Sequence, residues 1–185
     1  IMKRSKWRQR LPHGLCDPVL RSWLTEPDSL TARCQRASSS FRVRLLRFAK
    51  SPALADEAVE GGVGRERAWV REVALECDGV PVIFAHTTLA ATGNGRLTRW
   101  MSRLGNRSLG SLLFAYPGFR RGAIEFLRLD CRHPLYQRAA ALSAVEGELW
   151  ARRSLHRLGA QQVLVTEVFL PDIRRLLKQI PPKRQ

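Results

Sequence analysis

A glutamate lies in a stretch that otherwise has the pattern of a buried strand, residues 161–171 (QQVLVTEVFLP). Side chains alternate between two faces along a strand, so Glu167 shares its face with Val163, Val165 and Phe169. A carboxylate in apolar surroundings must be paired with a cation, protonated or put to use in binding or catalysis. Glu167 is therefore a candidate site residue.

An arginine has the same kind of position in residues 67–76 (RAWVREVALE), where Arg71 shares a face with Trp69, Val73 and Leu75. Two opposite charges, each on an apolar face, predict one cavity that both residues line. The alternative is a structural ion pair between two strands of one sheet, with no ligand. Alternation alone does not show that the two faces coincide, so both interpretations stay open at this point.

The elements that carry these residues follow from the turn and capping signals. Helices are predicted to begin at Asp17-Pro18 and after Asp28-Ser29. Asp78-Gly79 predicts a two-residue hairpin between two strands. Two helices, three strands, two helices and three strands predict a single α+β domain over residues 15–180, with a mainly antiparallel sheet of about six strands. A basic lead-in, residues 1–14, and a basic tail, residues 181–185, flank the domain.

Four connecting and closing segments complete the prediction. Residues 122–130 have the pattern of one strand, and residues 133–147 that of a helical excursion. Residues 172–179 are predicted to form a closing helix. Residues 61–64 (GGVG) are predicted to be a flexible connection, and they lack the Lys-Ser/Thr of a phosphate-binding loop.

The composition is that of a globular domain with an unusual positive charge. Of 185 residues, 44% are hydrophobic and 26% charged, which suits one packed core. The 32 Lys and Arg against 16 Asp and Glu give a net charge of +16, which would attract nucleic acid, anionic lipid or a small anionic substrate. The basic clusters lack interleaved aromatic residues and any RNA-binding signature, so we expect no specific nucleic-acid partner.

The cysteines and histidines predict no metal site. Cys16, Cys34, Cys77 and Cys131 are widely spaced, and the four histidines show no ligand spacing, so free thiols are expected. No apolar run approaches the length of a membrane span, and the N-terminus lacks the apolar segment of a secretory signal. We therefore expect a cytoplasmic protein.

Five short motifs stand in order along residues 15–171. The first two are WVREV at 69–73 and CDGVP at 77–81. The third is discontinuous, with LG at 104–105, SLG at 108–110 and LF at 113–114. The last two are WARRS at 150–154 and LVTEVFLP at 164–171. Together they resemble the chorismate lyase family, which makes 4-hydroxybenzoate for ubiquinone synthesis. Each motif alone is weak, but five in the correct order are specific.

The resemblance implies a fold and a site. The fold is a six-stranded antiparallel sheet with helices on one side and a ligand cavity enclosed beneath two helical flaps. The substrate-binding positions fall on Arg71, Leu109, Glu167 and Leu30, and Leu30 replaces a methionine of similar volume. The segment 131–147 is longer than in shorter family members and is expected to form a loop or helix beside the site.

The implied activity is that of a cofactor-independent carbon–oxygen lyase, which converts chorismate to 4-hydroxybenzoate and pyruvate in the first committed step of ubiquinone synthesis. Arg71 would hold the ring carboxylate with two parallel hydrogen bonds, and the backbone amides around Leu109 would share it. Glu167 would face the C4 hydroxyl as a hydrogen-bond partner or acid–base group. Whether Glu167 is ionised in the empty site depends on how close a cation lies.

Two other functions fit part of the sequence. Ligand-sensing effector domains of some bacterial transcription regulators have a similar fold, but the 14 residues before the first helix are too few for a winged-helix DNA reader. A basic nucleic-acid-binding protein would show a steep salt dependence and no chorismate turnover. We expect instead a monomeric enzyme whose partners are chorismate and 4-hydroxybenzoate.

Overall fold

The computed structural model describes residues 6–15, 17–57, 67–91 and 95–176. Within these ranges the chain forms five α-helices, seven strands and one 3-10 helix. In chain order they are α1 (Pro18–Leu24), α2 (Leu30–Ala37), β1 (Phe41–Pro52), β2 (Arg67–Cys77), β3 (Val80–Ala90), α3 (Arg96–Leu104), α4 (Leu109–Ala115), β4 (Phe119–Arg121), β5 (Glu125–Leu129), α5 (Pro134–Ala140), β6 (Leu149–Leu158), β7 (Gln161–Phe169) and the 3-10 helix Pro171–Arg175.

The first two helices begin where their capping residues predict. The Asp17 carboxylate accepts hydrogen bonds from the backbone amides of Val19 and Leu20, and Pro18 occupies the first turn of α1. The Ser29 hydroxyl accepts from the backbone amide of Ala32 and caps α2. These caps fix the connection between α1 and α2, which lies at the candidate site.

The seven strands form one antiparallel sheet in the order β1-β2-β3-β7-β6-β4, with β5 pairing beside β4 on the same edge of β6. The β2–β3 hairpin turns through Asp78 and Gly79 with φ of 51° and 80°, as a two-residue turn requires. The α+β fold and the mainly antiparallel sheet are confirmed. The strands β3 and β7 lie at its centre, so Glu167 is on a central strand.

The sheet has seven strands because a short strand that was not predicted, β4, precedes the predicted strand over residues 122–130, of which the structure forms Glu125–Leu129 as β5. Gly122 donates its backbone N–H to the Leu155 carbonyl at 2.7 Å, and a Cβ on Gly122 would lie 3.1 Å from that oxygen. The chain leaves the ladder at this close approach, so β4 ends at Arg121 and β5 begins at Glu125. Sequence alternation does not reveal such a break.

Four helices cover one face of the sheet, and the fifth covers the other. Helices α1 and α2 pack on the sheet face to which the odd-numbered side chains of β2 and β3 point. Helices α3 and α4 pack on the same face, nearer Leu89 and Val163. Leu135 and Ala139 of α5 instead contact Phe84 and Val168 on the opposite face. The expectation of helices on one side thus holds for α1–α4. The segment 131–147 was expected beside the site, but the sheet separates it from that site.

Several predicted segments extend beyond the described residues. The predicted closing helix begins as the 3-10 helix Pro171–Arg175, and its last residues, 177–179, lie outside the described ranges. The GGVG connection at 61–64, the tail at 181–185 and the first five residues of the lead-in also lie outside them.

A buried ionic cluster ties α5 and the segment after β1 to the opposite face of the sheet. The His86 side chain is 1% exposed, with Nδ1 2.9 Å from Glu72 Oε1 and Nε2 3.0 Å from Glu57 Oε1. The second contact lacks hydrogen-bond alignment and is a charge contact. Arg138 of α5 donates to the same Glu72 oxygen at 2.5 Å. The Cα partner of His86 on β7 is Thr166.

This cluster predicts a loss of stability as the pH rises. Burial alone would lower the pKa of His86, but the two carboxylates outweigh it and raise that pKa. The stabilisation by the imidazolium is therefore complete below the unfolded-state value of about 6.5 and is lost as the pH passes the folded-state value. We expect His86→Gln to lower the free energy of unfolding by about 3 kcal/mol at pH 6. Urea denaturation from pH 6 to 10 should show that difference shrinking, and a constant difference would refute the imidazolium assignment.

Candidate active site

A cavity of about 580 Å³, including the open space at its mouth, lies between the sheet and helices α2 and α4. The floor comes from β2, β3, β7 and β6, and the roof from the first residues of α2 and α4. The four residues that the family resemblance assigns to substrate binding all line it: Arg71, Leu109, Glu167 and Leu30. The faces of β2 and β7 that carry the two charges therefore coincide.

Arg71 is buried, at 2% exposure, and is held by the turn between α3 and α4. Its Nη2 donates to the carbonyl oxygens of Gly105 at 2.9 Å and Arg107 at 2.7 Å. Its Nε has no hydrogen-bond partner in the described part of the chain. Burial lowers the pKa of Arg71 to about 10, so the guanidinium stays charged at neutral pH. A buried cation whose described partners are neutral oxygens has the charge to bind an anion.

Glu167 is paired with Arg152 and not with Arg71. The Glu167 Oε2 lies 2.7 Å from Arg152 Nε, because the two residues are Cα partners across β7 and β6. Arg152 is 1% exposed, and its Nη1 donates to the Glu26 carbonyl at 2.6 Å. The alternative of a structural ion pair between Arg71 and Glu167 is thus wrong, and the counter-charge of Glu167 comes from Arg152, which the sequence interpretation did not select.

The strand register separates Arg71 from Glu167 along the cavity floor. Arg71 is opposite Thr87 on β3, Thr87 is opposite Val165 on β7, and Glu167 stands two residues beyond Val165. At a spacing of about 4.8 Å per strand, the two backbones lie about 10 Å apart across the sheet. Apolar floor residues, among them Ala85 and Val165, lie between the two charged groups. This arrangement suits a flat molecule that is polar at both ends.

A second polar group lies at the far end of the floor. Arg121 on β4 donates from Nε to Ser154 Oγ at 3.0 Å and from Nη1 to the Pro27 carbonyl at 2.8 Å. His156 Nε2 lies 3.0 Å from the same hydroxyl. Burial, with Arg121 and Arg152 nearby, lowers the pKa of His156 to about 3. His156 is therefore a neutral ring at physiological pH, and the charge at this end is that of Arg121.

The two roof segments contact each other. Thr31 Oγ1 of α2 and Ser108 Oγ, just before α4, lie 2.7 Å apart. Gly110 sits against this contact, since a Cβ there would lie 3.6 Å from Ser108 Oγ and 3.8 Å from Thr31 Oγ1. Leu30 and Leu109, which are 2% and 5% exposed, form the apolar part of the roof. The roof therefore has two helical segments, as the resemblance implies for the flaps.

Metal-ligating side chains do not cluster in the part of the chain that the structure describes. Within the described ranges, no group of three or more His, Cys, Asp or Glu side chains could hold a metal ion. Cys34, Cys77 and Cys131 are free thiols, as expected, and Cys16 lies outside the described residues.

Among the helices in the described ranges, none has the length and apolar character needed to cross a membrane.

Comparison with known proteins assigns the sequence to one family. The family model described as chorismate lyase matches residues 1–179. A probable chorismate pyruvate-lyase of Dechloromonas aromatica is 77% identical over 175 residues, which cover 95% of this chain and 99% of that protein. A probable chorismate pyruvate-lyase of Methylobacillus flagellatus is 44% identical, over 84% of this chain and 89% of that protein. One of Nitrosomonas europaea is 45% identical, over 89% of this chain and 94% of that protein.

Solved structures with a similar fold come from transcription regulators. The effector domain of PhnF from Mycobacterium smegmatis superposes with a TM-score of 0.55 at 17% identity, over 78% of this chain and 90% of that domain. The ligand-binding domain of a putative GntR-family regulator from Bordetella bronchiseptica gives a TM-score of 0.52 at 17% identity, over 73% of this chain and 87% of that domain. At these identities the likeness concerns the fold alone.

Proposed function

This chain belongs to the chorismate lyase family, and we propose that the cavity described above is where it converts chorismate to 4-hydroxybenzoate and pyruvate. The chain is a chorismate pyruvate-lyase, an activity known in the context of ubiquinone synthesis. One observation carries the assignment of the site. A buried guanidinium, that of Arg71, stands at one end of a largely apolar cavity and contacts only neutral oxygens within the described residues.

Arg71 binds the ring carboxylate. Its Nη2 is oriented by two backbone carbonyls, so the rest of the planar group is fixed in direction before the ligand arrives. Nε, which lacks a described partner, can donate to one carboxylate oxygen while a terminal nitrogen donates to the other. Leu109 follows the turn that holds Arg71, so its backbone amide can share the same carboxylate.

Glu167 faces the C4 end of the ring. It stands two strands from Arg71, and this separation of about 10 Å supports an interaction between its carboxylate and the C4 hydroxyl of a ring acid held by Arg71. Its Oε2 is engaged by Arg152, which keeps the group oriented and charge-compensated. Glu167 therefore acts as the hydrogen-bond partner of that hydroxyl or as the acid–base group of the elimination.

The reaction is balanced without an external oxidant or reductant. The C4–H bond and the C3–O bond break, the electron pair of the C–H bond forms the new C3–C4 double bond, and the ring becomes aromatic. The enolpyruvate that leaves takes up a proton and becomes pyruvate. Leu30 and Leu109 close the cavity over the ring and limit the access of water to it.

The proposal includes a monomeric enzyme that acts in the cytoplasm and releases 4-hydroxybenzoate. The three described cysteines are thiols, the state expected in a reducing compartment.

Incubation of the purified protein with chorismate tests the function. We expect 4-hydroxybenzoate, followed by absorbance, and pyruvate, followed with lactate dehydrogenase, in equal amounts and at a rate that EDTA does not change. The Arg128→Met variant is the control, since Arg128 is 60% exposed and pairs with Glu148 away from the cavity. Absence of 4-hydroxybenzoate, or pyruvate formed without it, would refute the proposal.

A further inference from the structure

Helix α3 presents a row of arginines on the outside of the protein. Four arginines in this helix and directly after it are exposed: Arg96, Arg99, Arg103 and Arg107. The three that belong to the helix follow each other at spacings of three and four residues, which places them on one side of it. The opposite side is buried in the core through Leu97, Met101 and Leu104. We call the four exposed residues the arginine row.

No neighbouring acidic residue offsets the charge of the arginine row. The sequence contains no Asp or Glu between Asp78 and Glu125. None of the Arg–carboxylate pairs found among the described residues includes a member of the row. Arg107 Nη2 donates instead to the Arg103 carbonyl at 3.3 Å, and Arg96 donates to the Tyr116 hydroxyl. The row is therefore a strongly positive strip of surface.

Apolar and aromatic side chains flank the arginine row. The half-buried rings of Trp100 and Tyr116 meet edge to face with centroids 4.9 Å apart, and the Arg96 guanidinium lies 5.3 Å from the Tyr116 centroid. At the other end, the Leu45 backbone N–H donates to Asn106 Oδ1 at 2.9 Å. Leu45 is 37% exposed, the one large hydrophobic side chain in the described ranges that is open to solvent.

This combination fits an anionic lipid surface better than a nucleic acid. Arginine side chains on a surface are attracted to acidic head groups, and Trp and Tyr favour the boundary between head groups and acyl chains. An exposed leucine gains from contact with lipid but has no role against a phosphate backbone. A single-stranded nucleic acid would need free aromatic faces for its bases, whereas Trp100 and Tyr116 are half-buried and contact each other.

We propose that the arginine row, with Leu45 at one end, binds the surface of an anionic phospholipid bilayer and holds the enzyme there as a peripheral protein. The helix lies on the bilayer and does not insert, because its apolar side is part of the core. The row ends in the turn whose carbonyls, those of Gly105 and Arg107, hold Arg71. Membrane binding thus places the cavity close to the lipid surface. It requires no step of the reaction, so it holds whether or not chorismate is the substrate.

Co-sedimentation of the whole protein with lipid vesicles tests the proposal. We expect binding to vesicles that contain phosphatidylglycerol, none to vesicles of pure phosphatidylcholine, and weaker binding as the salt concentration rises. In Arg99→Gln/Arg103→Gln the affinity for the anionic vesicles should fall on the order of 10-fold or more, since each basic side chain at such a surface contributes about 5-fold. Leu45→Ser should weaken binding about 3-fold and leave the salt dependence unchanged, because it removes apolar area and no charge.

The variant Arg132→Gln/Arg157→Gln is the matched control. It has the same net charge as Arg99→Gln/Arg103→Gln, and both of its arginines are exposed. Arg132 lies just before α5, which covers the sheet face opposite α3. Arg157 follows the cavity residue His156 on β6, so its side chain points to that opposite face as well. We expect this control to bind the anionic vesicles with nearly the wild-type affinity, and thermal melting checks that both double variants are folded.

Three results would refute the membrane surface. Equal losses in the two double variants would assign the attraction to overall charge. Binding of a labelled single-stranded oligonucleotide that depends on Arg99 and Arg103, without binding to vesicles, would identify a nucleic-acid surface instead. Failure to bind either probe would leave the row without a partner of this kind. None of these results bears on the lyase activity, which the chorismate assay tests separately, and a wild-type protein that bound vesicles without converting chorismate would refute the proposed function alone.

Discussion

The Arg71→Met variant is expected to lose about 3 kcal/mol of transition-state stabilisation, on the order of a 100-fold fall in kcat/KM for chorismate. The loss is large because the guanidinium is buried at 2% exposure, so its contact with a carboxylate is desolvated and charge-assisted. The affinity for 4-hydroxybenzoate should fall by a similar factor, because the product keeps the ring carboxylate. Steady-state kinetics and calorimetry measure the two effects.

Two further variants make the Arg71 result interpretable. Arg71→Lys keeps a positive charge but cannot hold both the carbonyls of Gly105 and Arg107 and a carboxylate, so we expect an intermediate loss. Arg128→Met removes an exposed charge and should retain the wild-type rate. Thermal melting checks the fold, since methionine leaves two carbonyls without their donor. Wild-type turnover in Arg71→Met would show that Arg71 is not the carboxylate-binding residue.

The second large effect is expected for Glu167→Gln. The amide keeps a hydrogen-bonding group at C4 but exchanges no proton, so kcat should fall by about 100-fold or more, the usual contribution of a general acid or base. The Kd of 4-hydroxybenzoate should change less than kcat. Single-turnover rates and product calorimetry separate the two quantities. Equal losses in both would assign Glu167 to binding alone.

Glu167→Gln also removes the counter-charge of Arg152, which is almost completely buried. Removing one partner of a buried ion pair typically costs 3–5 kcal/mol of stability, about the range we expect here. In the double variant Arg152→Met/Glu167→Gln, the uncompensated charge is gone, so stability should recover while turnover stays low. Recovery of turnover together with stability would show that Glu167 acts only as a structural counter-ion.

Strand alternation identified the two charged residues that contrast with their neighbours. Arg71 and Glu167 each stand among apolar residues on one face, and the structure places both in the cavity. Arg152 was missed because β6 (LWARRSLHRL) carries polar side chains on both faces, so no single charge stands out. Arg121 was missed because β4 has three residues, too few for a periodic pattern.

The position of α5 shows a second limit of sequence reasoning. Its apolar residues, Leu135 and Ala139, indicate that it packs on something, but the pattern cannot say which face of the sheet receives it. Only the tertiary structure shows that Arg138 of this helix reaches Glu72 on the face opposite the cavity. The helix order and the antiparallel sheet, in contrast, follow from local signals such as the caps at Asp17 and Ser29 and the Asp78-Gly79 turn.

A crystal structure of the protein with bound 4-hydroxybenzoate tests the central claim most directly. We predict a ring between Leu30 and Leu109, with its carboxylate within hydrogen-bond distance of Arg71 and its hydroxyl within hydrogen-bond distance of Glu167. A ring bound in the reverse direction, or bound outside the cavity, would contradict the account.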